Sequence, residues 1–469
     1  MTGTNNEFLG TEPVGKLMIR LSVPTIAAQL INMLYNIVDR IYIGHIKGSG
    51  AVALTGVGLS FPLIILISAF ALLISGGGAP RASIFMGQKN YKKAEETLNN
   101  CLLLHLLLSA FLTVFLLKTN RELLMAFGAS DTTIPYAESY MNVYALGTVF
   151  VQLTLGMNQF ITAQGFAKVS MKSVLTGAIA NIILDPVFIF GFHMGVKGAA
   201  LASVISQALS SAVALRFLFS EKSVIKIKGR EMTLHKDIVL PALALGMAPF
   251  IMQISESIIA AVYNASLNRY GGDIAVGSMT ILSSVMQFAT LPLLGLGQGA
   301  QPIISYNYGR NDSERVSESF KILLKYSVIY SVVIWALALA FPGMFAGIFT
   351  NNAALIAFTK KSLRIYIFAL GIFGIQRACQ MTFTSLGYAK QSITVAVVRK
   401  FVLLIPLIYL MPHIYTKNPT MAVYLAEPIA DTLSVLFTIF LFNISYKKGI
   451  ALMDERRKQE EENMPKTID

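Results

Sequence analysis

The chain alternates long apolar runs with short polar ones, and windows of about 20 apolar residues, the length of a membrane-crossing helix, recur from end to end. Twelve spans are predicted, at 17–43, 53–79, 98–117, 136–161, 170–192, 195–219, 238–267, 275–301, 321–346, 359–384, 391–411 and 419–446. Pro24, Pro62, Pro186, Pro249, Pro292 and Pro406 fall inside them. Packed neighbours can satisfy the carbonyls that such prolines leave free, so bent helices are expected.

The pattern is written twice. Gly77, Pro80, Ser83 and Gly87 recur 222 residues later as Gly299, Pro302, Ser305 and Gly309, and Gly165-Phe166-Ala167-Lys168 recurs as Gly387-Tyr388-Ala389-Lys390. Self-similarity at one long period marks duplication of a whole bundle. Six spans per copy is an even number, so both copies cross in the same sense, related by a pseudo-two-fold axis along the membrane normal. The expected architecture is an all-α membrane protein of twelve transmembrane helices in two six-helix bundles. Residues 1–220 form an N-terminal lobe, 221–237 a cytoplasmic linker, 238–446 a C-terminal lobe and 447–469 a polar tail. A central cavity between the lobes follows.

Composition agrees with this picture and removes other classes. Apolar residues make up 54% of the 469 positions, charged residues 13%, and the mean hydropathy is +0.61, a surface no water-soluble domain of this size tolerates. Cys101 and Cys379 sit in apolar stretches far apart, which points to inert buried thiols rather than a disulfide or thiolate metal site. The polar first 13 residues carry no cleavable signal sequence. A net charge of +13 invites a nucleic-acid reading. Placing the N-terminus in the cytoplasm instead puts most Lys and Arg on the inner side, richest over 216–236 with Lys222, Lys226, Lys228 and Arg230. The positive charge then reports topology, with both termini cytoplasmic in the inner cell membrane and no nucleic-acid partner.

The polar residues inside the spans carry the chemistry. Gln29, Asn32, Asn36 and Asp39 lie along one face of the first span, with Tyr35 one turn before Asp39. Because Arg40 follows, Asp39 reads either as an interior carboxylate or as an interfacial salt-bridged residue. In the fifth span Asn181 and Asp185 share a face, with Pro186 directly after the acid. An acid here without a role would cost about 2.5–3.5 kcal/mol on insertion scales. If Asp39 and Asp185 meet, the pair can hold a proton, or a bare cation such as Na+ with Asn181 and hydroxyl oxygens completing the shell. The sequence leaves that choice open.

The second half does not reproduce the acid pair. With Pro24 laid on Pro249, Asp39 falls on Asn264; the seventh span instead carries Glu256 near Gln253 and Ser257. Arg377, Arg399, Lys400, Glu427 and Asp431 occupy later spans, where opposite charges are expected to neutralise one another in part. The Gly-rich segments at 76–78 and 297–299 lack the Lys-Ser or Lys-Thr of a phosphate loop and read as places of close helix packing. The five histidines show neither metal-ligand spacing nor a partner nucleophile, which argues against a membrane-embedded enzyme.

Ser22-Val23-Pro24, Asn36-Ile37-Val38-Asp39, the Gly77 to Gly87 segment, Asn181 to Pro186 and Gly195-Val196-Lys197-Gly198-Ala199-Ala200-Leu201-Ala202 together carry a resemblance. From Gly15 to about Tyr446 the chain resembles the bacterial branch of the multidrug and toxic compound extrusion (MATE) family. The resemblance implies a cofactor-free antiporter that expels organic cations, drugs and other amphipathic compounds by alternating access, driven by inward Na+ or H+. It places the coupling ion in the N-terminal lobe at Asp39, Asn181 and Asp185, with Ser203 and Asn158 as oxygen-bearing neighbours and Tyr35, Asn36 and Gln29 lining the pocket. The first helix is expected to hinge at Pro24, and the working unit to be a monomer in the bilayer.

Other members of that family place a cation site in the C-terminal lobe, with a glutamate on the seventh span, which Glu256 matches beside Gln253, and an acid on the tenth. Here the tenth span offers Gln376 and Arg377, leaving Glu256 to touch substrate, pair with Arg377 or bind a proton. A flippase for lipid-linked oligosaccharide or another lipid precursor is the rival reading. It needs a cationic cavity for pyrophosphate, and the N-terminal half has no intramembrane Arg or Lys cluster to supply one.

Overall fold

A computed structural model describes residues 6–229 and 233–462, and each of the twelve apolar runs is helical in it. Span 1 is Val14–Gly44 and span 3 is Tyr91–Ala126; span 2 joins Gly50–Leu59 to Phe61–Gly87. Span 4 is split into Ile134–Leu146 and Thr148–Ala163. Span 5 runs over Ala167–Pro186 and a π-helical turn, Val187–Gly191, before span 6, Val196–Phe219. Spans 7 and 8 lie within Lys236–Gly309, divided at Gly272, whose φ is +63°. Span 9 is Ser313–Ala340, and span 10 is split into Ala353–Tyr366 and Leu370–Ser385. Span 11 passes from Ala389–Val397 through a π-helical stretch, Val398–Leu404, to Ile405–Ile414, and span 12 is Pro419–Glu462.

The helices differ from the expected spans in instructive ways. Span 1 continues as helix through Pro24. Span 4 breaks at Gly147, where Val204 of span 6 leaves no room for a side chain, and span 10 breaks at the equivalent point of the second repeat. The polar tail is helical over its described part and continues span 12 to Glu462; most of its side chains are exposed, while Met453 is buried and the Asp454 carboxylate accepts a hydrogen bond from Ser313. Residues 463–469 of the expected tail lie outside the described residues.

The expected linker is docked as well, at least over its described part up to Gly229; Arg230 lies outside the described residues. Gln164 Oε1 accepts from Ser223 Oγ and from the backbone N–H groups of Val224 and Ile225, and Asn99 Oδ1 accepts from the Lys228 N–H. Ile225 and Ile227 bury their side chains beneath it. The segment therefore belongs mechanically to the N-terminal half.

Duplication is visible in the backbone itself. Lys89 and Asn311, 222 positions apart, both adopt left-handed φ values, 59° and 58°. The residue after each caps the next helix: Asn90 accepts from Lys93 N–H at 3.1 Å and Asp312 from Arg315 N–H at 3.0 Å.

Three apolar clusters define the shape. One lies wholly in spans 1–6, with Ile43, Ile67, Leu116, Tyr140 and Ile189; another lies wholly in spans 7–12, with Tyr263, Leu282, Phe373 and Tyr424. A third draws on both halves through Leu17, Ile74, Phe160, Ile303 and Leu323. Two cores that separate at one end and merge at the other make a V, with the cavity between its arms.

At the merged end the halves touch backbone to backbone. A Cβ on Gly77 would overlap the Ala242 carbonyl, on Gly246 that of Leu73, on Gly87 that of Tyr306 and on Gly309 that of Ile84. The Gly-rich segments thus do serve close helix packing. The N-terminal segment adds a strap across the junction: Leu9 O accepts from Asn307 Nδ2 at 3.0 Å and Arg315 Nη2 at 3.2 Å, while Asn6 Nδ2 reaches Met86 Sδ at 3.3 Å.

Gly309→Val is expected to wedge this junction, at a cost of about 1–3 kcal/mol for overpacking. Its thermal unfolding midpoint in detergent should fall, and a cysteine at Ser83 should label faster than in the parent. Gly347→Val, with no atom within 4 Å of its Cβ, should change neither measurement.

Candidate functional site

Spans 1 and 5 pack side by side in the N-terminal half, bringing Asp39 and Asp185 together. Asp39 is 8% exposed and Asp185 fully buried, and their carboxyl groups are direct neighbours. Arg40 does not pair with Asp39; its guanidinium lies 4.9 Å from the Phe61 ring centroid. The interfacial salt-bridge reading of Asp39 is therefore wrong, because consecutive helical residues point about 100° apart and only the acid faces span 5.

Around this pair the groups are almost all oxygen donors. Asn181 Nδ2 donates to Asp185 Oδ1 at 3.3 Å, leaving its own Oδ1 without a partner. Asp39 Oδ1, Asp185 Oδ2, Ser206 Oγ and Gln207 Oε1 are likewise buried and unpartnered. Tyr140 neighbours Ser203 and stacks on Tyr144, with ring centroids 5.8 Å apart. Gln207 Nε2 donates to the Tyr35 hydroxyl at 3.4 Å.

Buried polar atoms are nearly always satisfied. Two adjacent buried carboxylates cannot both stay ionised without a positive charge between them. The arrangement can hold either a shared proton or a small hard cation ligated by carboxylate and amide oxygens. Backbone geometry contributes, since Pro186 removes an N–H directly after Asp185 and the helix continues as a π turn closed by Phe192 N–H on Val187 O at 2.9 Å.

Asp39 and Asn181 border a cavity of about 830 Å³ between the two halves. Tyr35, Asn36, Gln29, Asn158 and Ser203 line it too, and Gln253 faces it from span 7. Asn158 is not joined to the aspartates: its Nδ2 bonds Ser173 Oγ at 3.1 Å, eight residues or about 12 Å along span 5 from Asn181. Gln29 Nε2 bridges the halves to Gln298 Oε1 at 2.9 Å.

In the C-terminal half the charges pair. Arg399 Nε donates to Asp431 Oδ1 at 2.7 Å and its Nη2 lies 3.5 Å from Glu427 Oε1, with Tyr263 donating to Glu427 Oε2 at 3.0 Å. Lys400 Nζ meets Glu256 Oε1 at 2.9 Å. Glu256 thus pairs with Lys400, not Arg377, because the π-helical stretch turns Lys400 toward span 7. Its side chain is 60% exposed and stands outside the cavity lining.

Sequence reasoning passed over two features. One is a buried chain in which Ser75 Oγ lies 2.6 Å from His105 Nε2, His105 Nδ1 2.9 Å from Gln152 Oε1, and Gln152 Nε2 donates to Ile67 O at 2.7 Å. The other is the cavity wall of span 8, where Gln287, Leu291, Leu294, Gln298 and Gln301 follow at spacings of four and three, a face legible in the sequence.

Residues 24–187 and 249–410 each match the family model MatE, the two segments beginning at Pro24 and Pro249. The chain belongs to the MatE family. Its multi-pass helical architecture is that of solved MATE structures: one described as the outward-facing conformation of a multidrug resistance MATE family transporter of the MOP superfamily superposes with a TM-score of 0.89 at 22% identity, over 96% of this chain and 99% of that one. A MOP superfamily transporter from Pyrococcus furiosus, described as having a binding pocket of reverse polarity, superposes at 0.88 with 22% identity, over 97% and 99%. The chain is also similar to the multidrug export protein MepA of Staphylococcus saprophyticus, 25% identical over 91% of this chain and 94% of MepA. MepA of Staphylococcus aureus is 24% identical over 92% and 95%. In this MatE protein, both matched segments end within or next to the fifth and eleventh spans, where the π-helical stretches lie.

Asp431→Ala strands part of the Arg399 charge in the C-terminal half, and losing one partner of a buried ion pair costs about 3–5 kcal/mol. Its thermal unfolding midpoint should fall sharply, whereas Arg399→Met combined with Asp431→Leu and Glu427→Gln, which removes the whole charge set, should recover much of the loss.

Proposed function

We propose that this MatE protein is an antiporter that exports small amphipathic compounds, including organic cations and drugs, in exchange for inward Na+ or H+. The observation that carries the reading is the Asp39 and Asp185 pair beside Asn181, with unpartnered buried oxygens at the edge of an inter-lobe cavity. Similarity to MepA, described as a multidrug export protein, supports a range of exported compounds. Among the described residues, Arg40 alone brings a cationic side chain to the cavity lining, which disfavours a flippase gripping pyrophosphate.

Span 1 links the ion site to the lobe junction. Asp39 sits near one end; toward the other, Ser22 Oγ donates to Leu296 O at 3.3 Å, Thr25 Oγ1 to Gly295 O at 2.6 Å and Gln29 to Gln298. Pro24 lies between the first two of these bonds and removes one backbone donor there. A proton or cation at Asp39 and Asp185 holds span 1 against span 5; without it, the carboxylates repel and the helix shifts where it grips span 8. The ion drives exchange only insofar as it binds the two conformations with different affinity. With the Lys- and Arg-rich end in the cytoplasm, the merged end of the V is the closed cytoplasmic side and the cavity opens outward.

In proteoliposomes, efflux of ethidium should respond to an imposed sodium gradient, a pH gradient, or both when applied separately. Asp185→Asn should lower ion-driven efflux at least tenfold while leaving the folded fraction, measured by gel filtration, unchanged. Coupled efflux at the parental rate in Asp185→Asn would overturn the assignment of the ion site.

A further inference from the structure

The cavity is poor in charge and rich in amides. Among its lining residues Asp39 is the one carboxylic acid and Arg40 the one base; the first faces Asp185 and the second lies over Phe61. The wall supplied by the C-terminal half presents Gln253, Gln287, Gln298 and Gln301 as its polar groups, and no aromatic ring. Of these four, only Gln298 has a protein partner for its side chain, accepting from Gln29. The side-chain amides of Gln253, Gln287 and Gln301 have none among the described residues. Across the cavity, the wall from the N-terminal half presents the half-buried ring of Tyr35 and the edges of the more deeply buried Tyr140 and Tyr144.

A binding site selects by what it leaves unsatisfied. Each amide offers a donor and an acceptor, and a ligand that strips water from it without returning a hydrogen bond is penalised. An apolar cation would do this to the whole glutamine wall. Its only counter-charge in the lining, Asp39, is the group the coupling ion uses. A ligand with a flat apolar part and several hydroxyl or carbonyl groups meets neither penalty.

We infer that the cavity is built for uncharged or zwitterionic amphiphiles bearing several hydrogen-bonding groups, stacked on the tyrosine side and recognised by Gln253, Gln287 and Gln301. This deepens the antiport reading and rests on it for transport, although binding can be read without it. Net cations enter as weaker ligands that compete with the coupling ion at Asp39.

The test uses full-length protein and two probes, the neutral 4-methylumbelliferyl glucoside and the apolar cation tetraphenylphosphonium. Equilibrium dialysis against detergent-solubilised protein and flux in proteoliposomes are measured in parallel. The glucoside should bind more tightly than the cation and respond only modestly to added Na+ or pH, through the conformational linkage alone, whereas cation binding should weaken steeply as the coupling ion is raised. Gln253→Met and Gln287→Met, close to the parent in volume, should each weaken glucoside binding by about three- to tenfold, the effect of one lost hydrogen bond. Cation binding should stay within twofold or tighten, and Gln287→Asn should keep part of the glucoside affinity.

Equal losses for both probes would make the amides structural and overturn the inference, as would cation binding with no measurable glucoside binding. Glucoside binding with the expected substitution pattern but no flux under either gradient would uphold the inference and overturn the antiport reading instead.

Discussion

Two carboxyl groups held next to each other inside a membrane-spanning bundle are the constraint on which the rest turns. Asp39 and Asp185 come from different helices, so their approach fixes span 1 relative to span 5. The arrangement is tolerable only with a positive charge between them. That makes the relative position of two helices a function of occupancy, the property a coupled transporter needs. The neighbouring polar groups serve this pair: Asn181 tethers Asp185, Pro186 and the π turn end the regular helix just beyond it, and Tyr140 and Tyr144 close it from the side of span 4.

The second half shows what the same fold does without that constraint. Its intramembrane charges are three of each sign, and most are already paired, Arg399 with Asp431 and Glu427 and Lys400 with Glu256, while Arg377 makes no ion pair among the described residues. A network that neutralises itself has no standing demand for an ion. The two lobes are thus alike in backbone, down to the left-handed Lys89 and Asn311, and unlike in electrostatics. In the antiport reading proposed above, this division leaves one lobe to hold the ion and the other to offer an amide wall.

Much of the fold was legible because membrane burial writes itself into long apolar runs and because duplication repeats the turns that end them. The spans at 136–161 and 359–384 misled only in being continuous, since a break at Gly147 depends on Val204 of a neighbouring helix, which no local pattern reveals. The tail at 447–469 reads as solvated because its charges are dense, and most of its described side chains are exposed; what the charges did not reveal is that Met453 and the contact of Asp454 with Ser313 dock it as a continuation of span 12. Asn181 and Asp185 were readable from their spacing on one helix. The partner of Glu256 was not, because the π-helical stretch at Val398–Leu404 rotates Lys400 out of the register a regular helix would give it.

The junction at Gly77, Gly87, Gly246 and Gly309 has a bearing on how such a machine can change. Main chain resting on main chain leaves no rotamers through which the joint could relax by degrees, so the pivot is either seated or unseated. The selecting surface inferred above is, by contrast, made of side chains on spans 7 and 8. A lineage can therefore exchange its cargo by rewriting those glutamines and leave the stroke of the engine as it was.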